Sequence, residues 1–191
     1  MRVFARFTCQ RAGSPIKTCG LLLDRSRSRR TVVKFNLIDK IESVSAERLV
    51  GVKHVSLAEE YLADHFPTFP VLPGVLMLEA VTQAAAWLMH IRRDFGQSMA
   101  VLKEARNIKY GQFVAPGSAL RVEVELTRDE TGGGVFKATG TVGEATAISG
   151  RIELAYFSLS DRNPEWAGID RRLIEHNRSR WLALTQGRVA I

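Results

Sequence analysis

Hydrophobic and polar positions along the chain change period twice. From residue 74 to about residue 95 the sequence GVLMLEAVTQAAAWLMHIRRDF is built from strong helix formers. Its apolar residues Val75, Leu76, Met77, Leu78, Val81, Ala84, Ala85, Trp87, Leu88 and Ile91 run nearly all the way round a 3.6-residue period. This predicts one long helix of roughly 30 Å with protein on every side. Glu79, Gln83 and His90 break the pattern, and with Ala86 they fall on one narrow line. A carboxylate among apolar neighbours is costly unless it is protonated, paired or lining a polar pocket. The plain alternative is a Glu near a helix N-terminus that reaches solvent with help from the dipole.

Beyond the helix the period shortens to two. Val122, Val124 and Leu126 alternate with Arg121, Glu123 and Glu125, as a strand with one wet face requires. Segments 101–115, 134–143 and 145–159 read as further strands, with turns at DETGGG (129–134), Pro116-Gly117 and Gly143-Glu144. Three or four antiparallel strands are therefore expected in sequence order. Upstream, LVGVKHVSL (49–57) reads as the first strand, and 35–41 as a short strand or helix. Pro67, Pro70 and Pro73 keep any regular element from crossing the segment between them. The fold class expected for residues 31–160 is α+β, an antiparallel sheet wrapped around one long central helix. About five strands cannot cover such a helix completely, so a second copy of the chain is the simplest cover for the rest. Residues 161–191 read as an appendage with a short amphipathic helix over 169–184, making contact through Leu173, Trp181 and Leu184.

Charge refines this picture. The formal +7 looks like a nucleic-acid signal until it is located. Residues 1–30 carry eight Arg/Lys and the single acid Asp24, while the remainder carries 19 of each sign. The excess thus sits in a basic leader ending RSRSRR, expected to be disordered or dispensable. Targeting and contact with an anionic surface or nucleic acid are its other readings. The leader lacks the long apolar core of a secretory signal, and no aromatic residues interleave its basic run, so neither export nor nucleic-acid binding is expected. Cys9 and Cys19 both lie in it and form no Cys-x-x-Cys pair, which allows a reducing compartment and a cytoplasmic location. The run 74–91 is long enough for a membrane span, but its three polar residues argue against one. His54, His65, His90 and His176 are scattered without ligand spacing, so no metal is expected.

Candidate chemistry concentrates in HFPTFPVLPGVLMLEA, residues 65–80. His65 alone would pass as a surface group. The proline segment, however, can turn the chain back so that His65 reaches the mouth of the helix, where Gly74 offers a bare amide among unsatisfied N–H groups. A base, an acid and a helix dipole suited to a developing thioester enolate would then line one apolar tunnel.

The string DHFPTFPVLPGVLMLEAVTQAA resembles the active-site region of the β-hydroxyacyl-acyl carrier protein dehydratases of the hotdog fold. Their pattern is approximately G-H-F-P-G-x-P-x-x-P-G-V-L-x-x-E-A-x-x-Q. His65, Phe66, Pro67, Pro70, Pro73, Gly74, Val75, Leu76, Glu79, Ala80 and Gln83 match in register, and the likeness spans about residues 33–158. The resemblance implies that His65 removes the proton alpha to the thioester and Glu79 donates a proton to the departing β-hydroxyl, without a cofactor. Gly74 would offer its amide to the thioester carbonyl, Gln83 would hold the carboxylate, and Phe66, Pro73 and Val75 would line the substrate. The resemblance also implies a homodimer or trimer of dimers in which each tunnel takes His65 and Glu79 from different subunits. The substrate would be a thioester of acyl carrier protein or coenzyme A. Glu at position 79, rather than Asp, resembles the dehydratase-only branch.

Asp64 stands where the pattern has glycine, Thr68 and Phe69 replace a glycine and a small polar residue, Ala58-Glu59-Glu60 replaces Asn-Glu-Pro, and Gly111-Gln112 replaces a basic residue. All lie toward the mouth or the carrier-facing surface. A hotdog thioesterase, an enoyl-coenzyme A hydratase and a non-catalytic binding subunit are the competing readings.

Overall fold

The computed structural model describes residues 35–186. The basic leader and both cysteines lie outside the described residues. Elements follow in the order β1 (Lys40–Val44), β2 (Arg48–His54), α1 (Gly74–Arg92), β3 (Met99–Tyr110), β4 (Ala119–Glu130), β5 (Gly133–Val142), β6 (Ala145–Phe157) and α2 (Ala167–Thr185). Short 3₁₀ turns occupy Glu60–Ala63, Leu159–Asp161 and Pro164–Trp166.

The strands form one antiparallel sheet in the order β1-β2-β4-β5-β6-β3, and α1 packs across it, the hotdog arrangement. In β4 the alternation is realised as read: Leu120, Val122, Val124 and Leu126 point at the helix, and Arg121, Glu125 and Thr127 point at solvent. On α1, Met77, Ala80, Val81, Ala84, Ala85, Leu88 and Met89 close the core from the other side. Burying each large side chain there contributes roughly 1.5–3 kcal/mol. Small residues at 80, 84 and 85 let the helix sit close to the sheet.

Two expectations need correction. The first strand is β1, and it forms a hairpin with β2, which ends at His54 rather than at 57; residues 35–39 before it are irregular. The strands after α1 do not all lie side by side in sequence order. β4, β5 and β6 are a meander, but β3 pairs with β6 at the far edge, while the place beside β4 is taken by β2 with Leu49 opposite Val124. The segment 111–118 therefore crosses back over the sheet, bonding Leu72 N–H to the Val114 carbonyl at 2.8 Å and Gly117 N–H to the Val55 carbonyl at 2.8 Å. As an incomplete sheet requires, part of α1 is left uncovered within the chain: Val75 is 69% exposed, and Leu76 and Leu78 are only partly buried.

The C-terminal helix is longer than its amphipathic pattern suggested, spanning Ala167–Thr185, and its Trp181 and Leu184 join the same core as α1. Trp181 lies 6.0 Å from Trp87, ring centre to ring centre. By length and composition α1 could cross a membrane, yet its inner face is buried on the sheet.

Candidate active site

The proline segment is held as a tight double-backed loop. His65 N–H donates to the Tyr61 carbonyl at 3.1 Å, and Val71 N–H donates to the His65 carbonyl at 3.0 Å. Phe66 and Phe69 exchange backbone bonds of 3.1 and 3.0 Å, which closes the loop tip. The His65 ring nitrogen Nδ1 lies 3.1 Å from the Val71 carbonyl oxygen. A carbonyl only accepts, so this contact assigns the proton to Nδ1 and leaves the Nε2 lone pair open as a base. Phe66 stacks on the imidazole at 4.3 Å and is itself half-exposed.

Pro73 is buried and caps α1. Its carbonyl accepts from the amides of Leu76 and Met77 at 2.9 and 3.1 Å, so the amides of Gly74 and Val75 are the open donors of the helix N-terminus. Glycine at 74 has a steric reason as well. A Cβ there would lie 3.0 Å from Tyr110 Cε1, so the bare backbone lets the Tyr110 ring lie over the first helical turn.

One turn further on, Gln83 Nε2 donates to Glu79 Oε1 at 2.9 Å and to the Phe35 carbonyl at 3.1 Å, and Gln83 Oε1 accepts from Leu37 N–H at 2.9 Å. The amide is thus held in one orientation by the backbone of residues 35–37 and presents its N–H₂ to the carboxylate. Glu79 is half-buried, and among the described residues its Oε2 has no hydrogen-bond or ion-pair partner.

Within one chain the Gly74 amide opens α1, Glu79 and Gln83 follow further along the same helix and bond to each other, and His65 stands at the root of the loop. Among the described residues no hydrogen bond or ion pair joins His65 to Glu79. The third polar residue of the helix line, His90, has a different environment. It is 6% exposed, packed against Phe95, Tyr156 and Trp87, and desolvation pushes its pKa down to about 4. It is a neutral core imidazole. His54, read as an ordinary strand residue, is the exposed last residue of β2.

The residues that the sequence did not point to are aromatic or backbone groups. Phe113, from the segment that crosses back over the sheet, meets Phe69 edge to face at 5.6 Å, and both are more than half exposed. With Phe66, Val75 and Tyr110 they leave an open apolar surface. The grip of Phe35 and Leu37 on Gln83 uses main-chain atoms and so carries no side-chain signature.

A family model described as a FabA-like domain matches residues 31–151. A Clostridium perfringens protein named 3-hydroxyacyl-[acyl-carrier-protein] dehydratase FabZ is 36% identical over 121 residues, covering 63% of this chain and 87% of the relative. A Bacillus cereus protein of the same name is 36% identical over 129 residues, covering 67% of this chain and 88% of the relative. Among solved structures, the dehydratase heterocomplex ApeI:P from Xenorhabdus doucetiae superposes with a TM-score of 0.55 at 18% identity, covering 66% of this chain and 86% of that one, which supports the fold. With the family model over most of the described sheet and relatives matched along nearly their whole length, the chain belongs to the FabA/FabZ-like family of hotdog-fold dehydratases, enzymes acting on thioesters.

Proposed function

We propose that this chain eliminates water from a (3R)-3-hydroxyacyl thioester carried on acyl carrier protein, giving the trans-2-enoyl thioester in the cytoplasm. His65 Nε2 takes the proton alpha to the thioester carbonyl. The electron pair left on carbon forms the new double bond as the β-hydroxyl leaves, and Glu79 supplies the proton that makes the departing group water. The open amides at Gly74 and Val75 stabilise the enolate oxygen, and Gln83 keeps Glu79 aimed. Phe66, Pro73 and Val75 line the acyl path. The observation that carries this reading is the division of labour between two held groups: an imidazole with Nδ1 tied down and Nε2 free, and a carboxylate with one oxygen tied down and one free.

The two groups do not bond within one chain, and the surface around them is apolar and open. The working enzyme is therefore a homodimer in which each site takes His65 from one subunit and Glu79 from the other.

Purified protein incubated with 3-hydroxyacyl thioesters of carrier protein and of coenzyme A tests the chemistry. Enoyl formation should be lost in Glu79→Gln and in His65→Ala. Unchanged enoyl formation in both variants, or free acid as the product, sinks the reading. Co-refolding the two inactive variants tests the subunit arrangement, because random pairing restores roughly a quarter of wild-type activity only if each site is shared.

A further inference from the structure

Behind the loop that carries His65 lies an ionic cluster around a buried lysine, which the proposed chemistry does not use. Lys53, on β2, is only 5% exposed. Its Nζ donates to Glu59 Oε1 at 3.0 Å and to the His54 carbonyl at 2.6 Å, and lies 3.0 Å from Glu59 Oε2. Glu59 also accepts the Ser56 N–H at 2.9 Å and the Tyr61 hydroxyl at 2.6 Å. Burial opposes the charge on Glu59, but the bonds from Tyr61, Ser56 and Lys53 outweigh it and hold its carboxyl below the usual range. Burial, together with the bond to Glu59, pushes the Tyr61 phenol up, so it remains the donor.

From Tyr61 the path to the imidazole is short. The Tyr61 carbonyl accepts His65 N–H, the His65 carbonyl accepts Val71 N–H, and the Val71 carbonyl meets His65 Nδ1. Every link is a hydrogen bond of 2.6 to 3.1 Å. On the other side, Asp39 Oδ2 accepts His54 N–H at 2.6 Å and lies 3.9 Å from Lys53 Nζ. Asp39 ends the strap, residues 35–39, whose Phe35 and Leu37 hold Gln83. The loop with His65 and the helix with Glu79 are thus referred to the same piece of backbone.

An ion pair whose lysine is buried is a poor device for stability alone, because desolvating the ammonium offsets much of the attraction. Its distinctive property is directional: several charge-assisted bonds converge on one carboxylate and fix where its neighbours lie. We infer that Lys53, Glu59 and Tyr61 are positioning residues for His65. They hold the turn before it so that the ring keeps its Nδ1–H on Val71 and its Nε2 toward substrate. The inference rests on His65 as the base.

The test uses the full chain with ¹⁵N-labelled histidine and three variants: Lys53→Met, Tyr61→Phe and, as a control, Leu184→Ala in the core under α2. The ¹⁵N shifts of the His65 ring report its tautomer without any turnover, while kcat and KM are measured with a 3-hydroxyacyl thioester. Lys53→Met should lower kcat by roughly 10- to 100-fold with KM little changed, and should shift His65 from the Nδ1–H tautomer to a mixture. Tyr61→Phe, which removes one oxygen, should move both in the same direction by less. Leu184→Ala should lower the melting temperature and leave both unmoved. Wild-type His65 shifts and kcat in folded Lys53→Met overturn the inference. If Lys53→Met does not fold, wild-type values in Tyr61→Phe overturn it instead. An enzyme inactive on every thioester would defeat the functional reading, but the tautomer measurement would still decide the positioning role.

Discussion

His90 gives the sharpest quantitative prediction. In the unfolded chain its imidazole takes a proton near pH 6.5, whereas desolvation in the folded core holds it neutral down to about 4. Between those values the unfolded state binds more protons, so stability rises with pH across the window. The contribution is complete above pH 6.5, falls as the pH drops, and is lost near pH 4. At 1.36 kcal/mol per pH unit the gap amounts to about 3 kcal/mol, a large fraction of a typical domain's stability. Carboxylates also titrate in this range, so the measurement is a difference. Urea unfolding of wild type and His90→Gln is followed at pH 7.5 and 4.5 at one fixed protein concentration. The Tyr156 hydroxyl keeps a partner in the variant, because it also accepts Gln97 N–H at 3.3 Å. Wild type should lose about 2.5 kcal/mol more than the variant between these two pH values, because pH 4.5 stops short of the folded pKa. Parallel losses would show that His90 is charged or solvated in the folded protein, and the account of its burial would be wrong.

Glu79→Gln should reduce kcat by about 10²- to 10⁴-fold, and Gln83→Leu, which frees the carboxylate, should lower kcat by less, both measured as enoyl formation. Gly133→Ala should destabilise by about 3 kcal/mol or more in denaturant titration, because its Cβ would fall 1.9 Å from the Leu154 carbonyl oxygen. Gly132→Ala meets nothing within 4 Å and should stay within about 0.5 kcal/mol of wild type in the same titration. Trp181→Ala should cost about 3–5 kcal/mol in thermal or chemical unfolding if α2 is part of the core rather than a loose tail.

Local pattern made α1 and the β4-β5-β6 meander legible, since a helix of strong formers and the alternation at 120–126 depend only on near neighbours. Placement of β3 was not legible. Its burial pattern does not alternate, and two irregularities, at Leu102/Glu104 and Arg106/Lys109, rotate its side chains out of register. Which strand it joins is decided by the slot beside β4 already being filled by β2. The burial of Lys53 was not legible for a related reason: nothing in LVGVKHVSL marks it, and only the fold of the following turn brings Glu59 over it. At the candidate site, the grouping was legible because His65, Glu79 and the helix start share one short stretch. The supports of Gln83 were not, because Phe35 and Leu37 contribute backbone atoms.

Two separate features of the chain fit the proposed homodimer. Among the described residues β3 bonds only to β6, so the outward-turned N–H and C=O groups of this 12-residue edge strand are unpaired, with Leu102 and Tyr110 exposed along it. Long open edges invite pairing with another chain, and charged residues such as Lys103, Arg106 and Lys109 are the usual guard against indiscriminate pairing. At the end of that edge Tyr110 lies over Gly74, beside exposed Val75 and the aromatic pair Phe69 and Phe113. A two-fold axis beside β3 and perpendicular to the sheet would pair the two edges antiparallel and set a second copy against this apolar surface, closing water away from Glu79 Oε2. The same operation would carry one subunit's His65 toward the other's helix mouth. On that arrangement the exposed Val75 is the counterpart of a base and an acid that do not bond within one chain: each is half of a site.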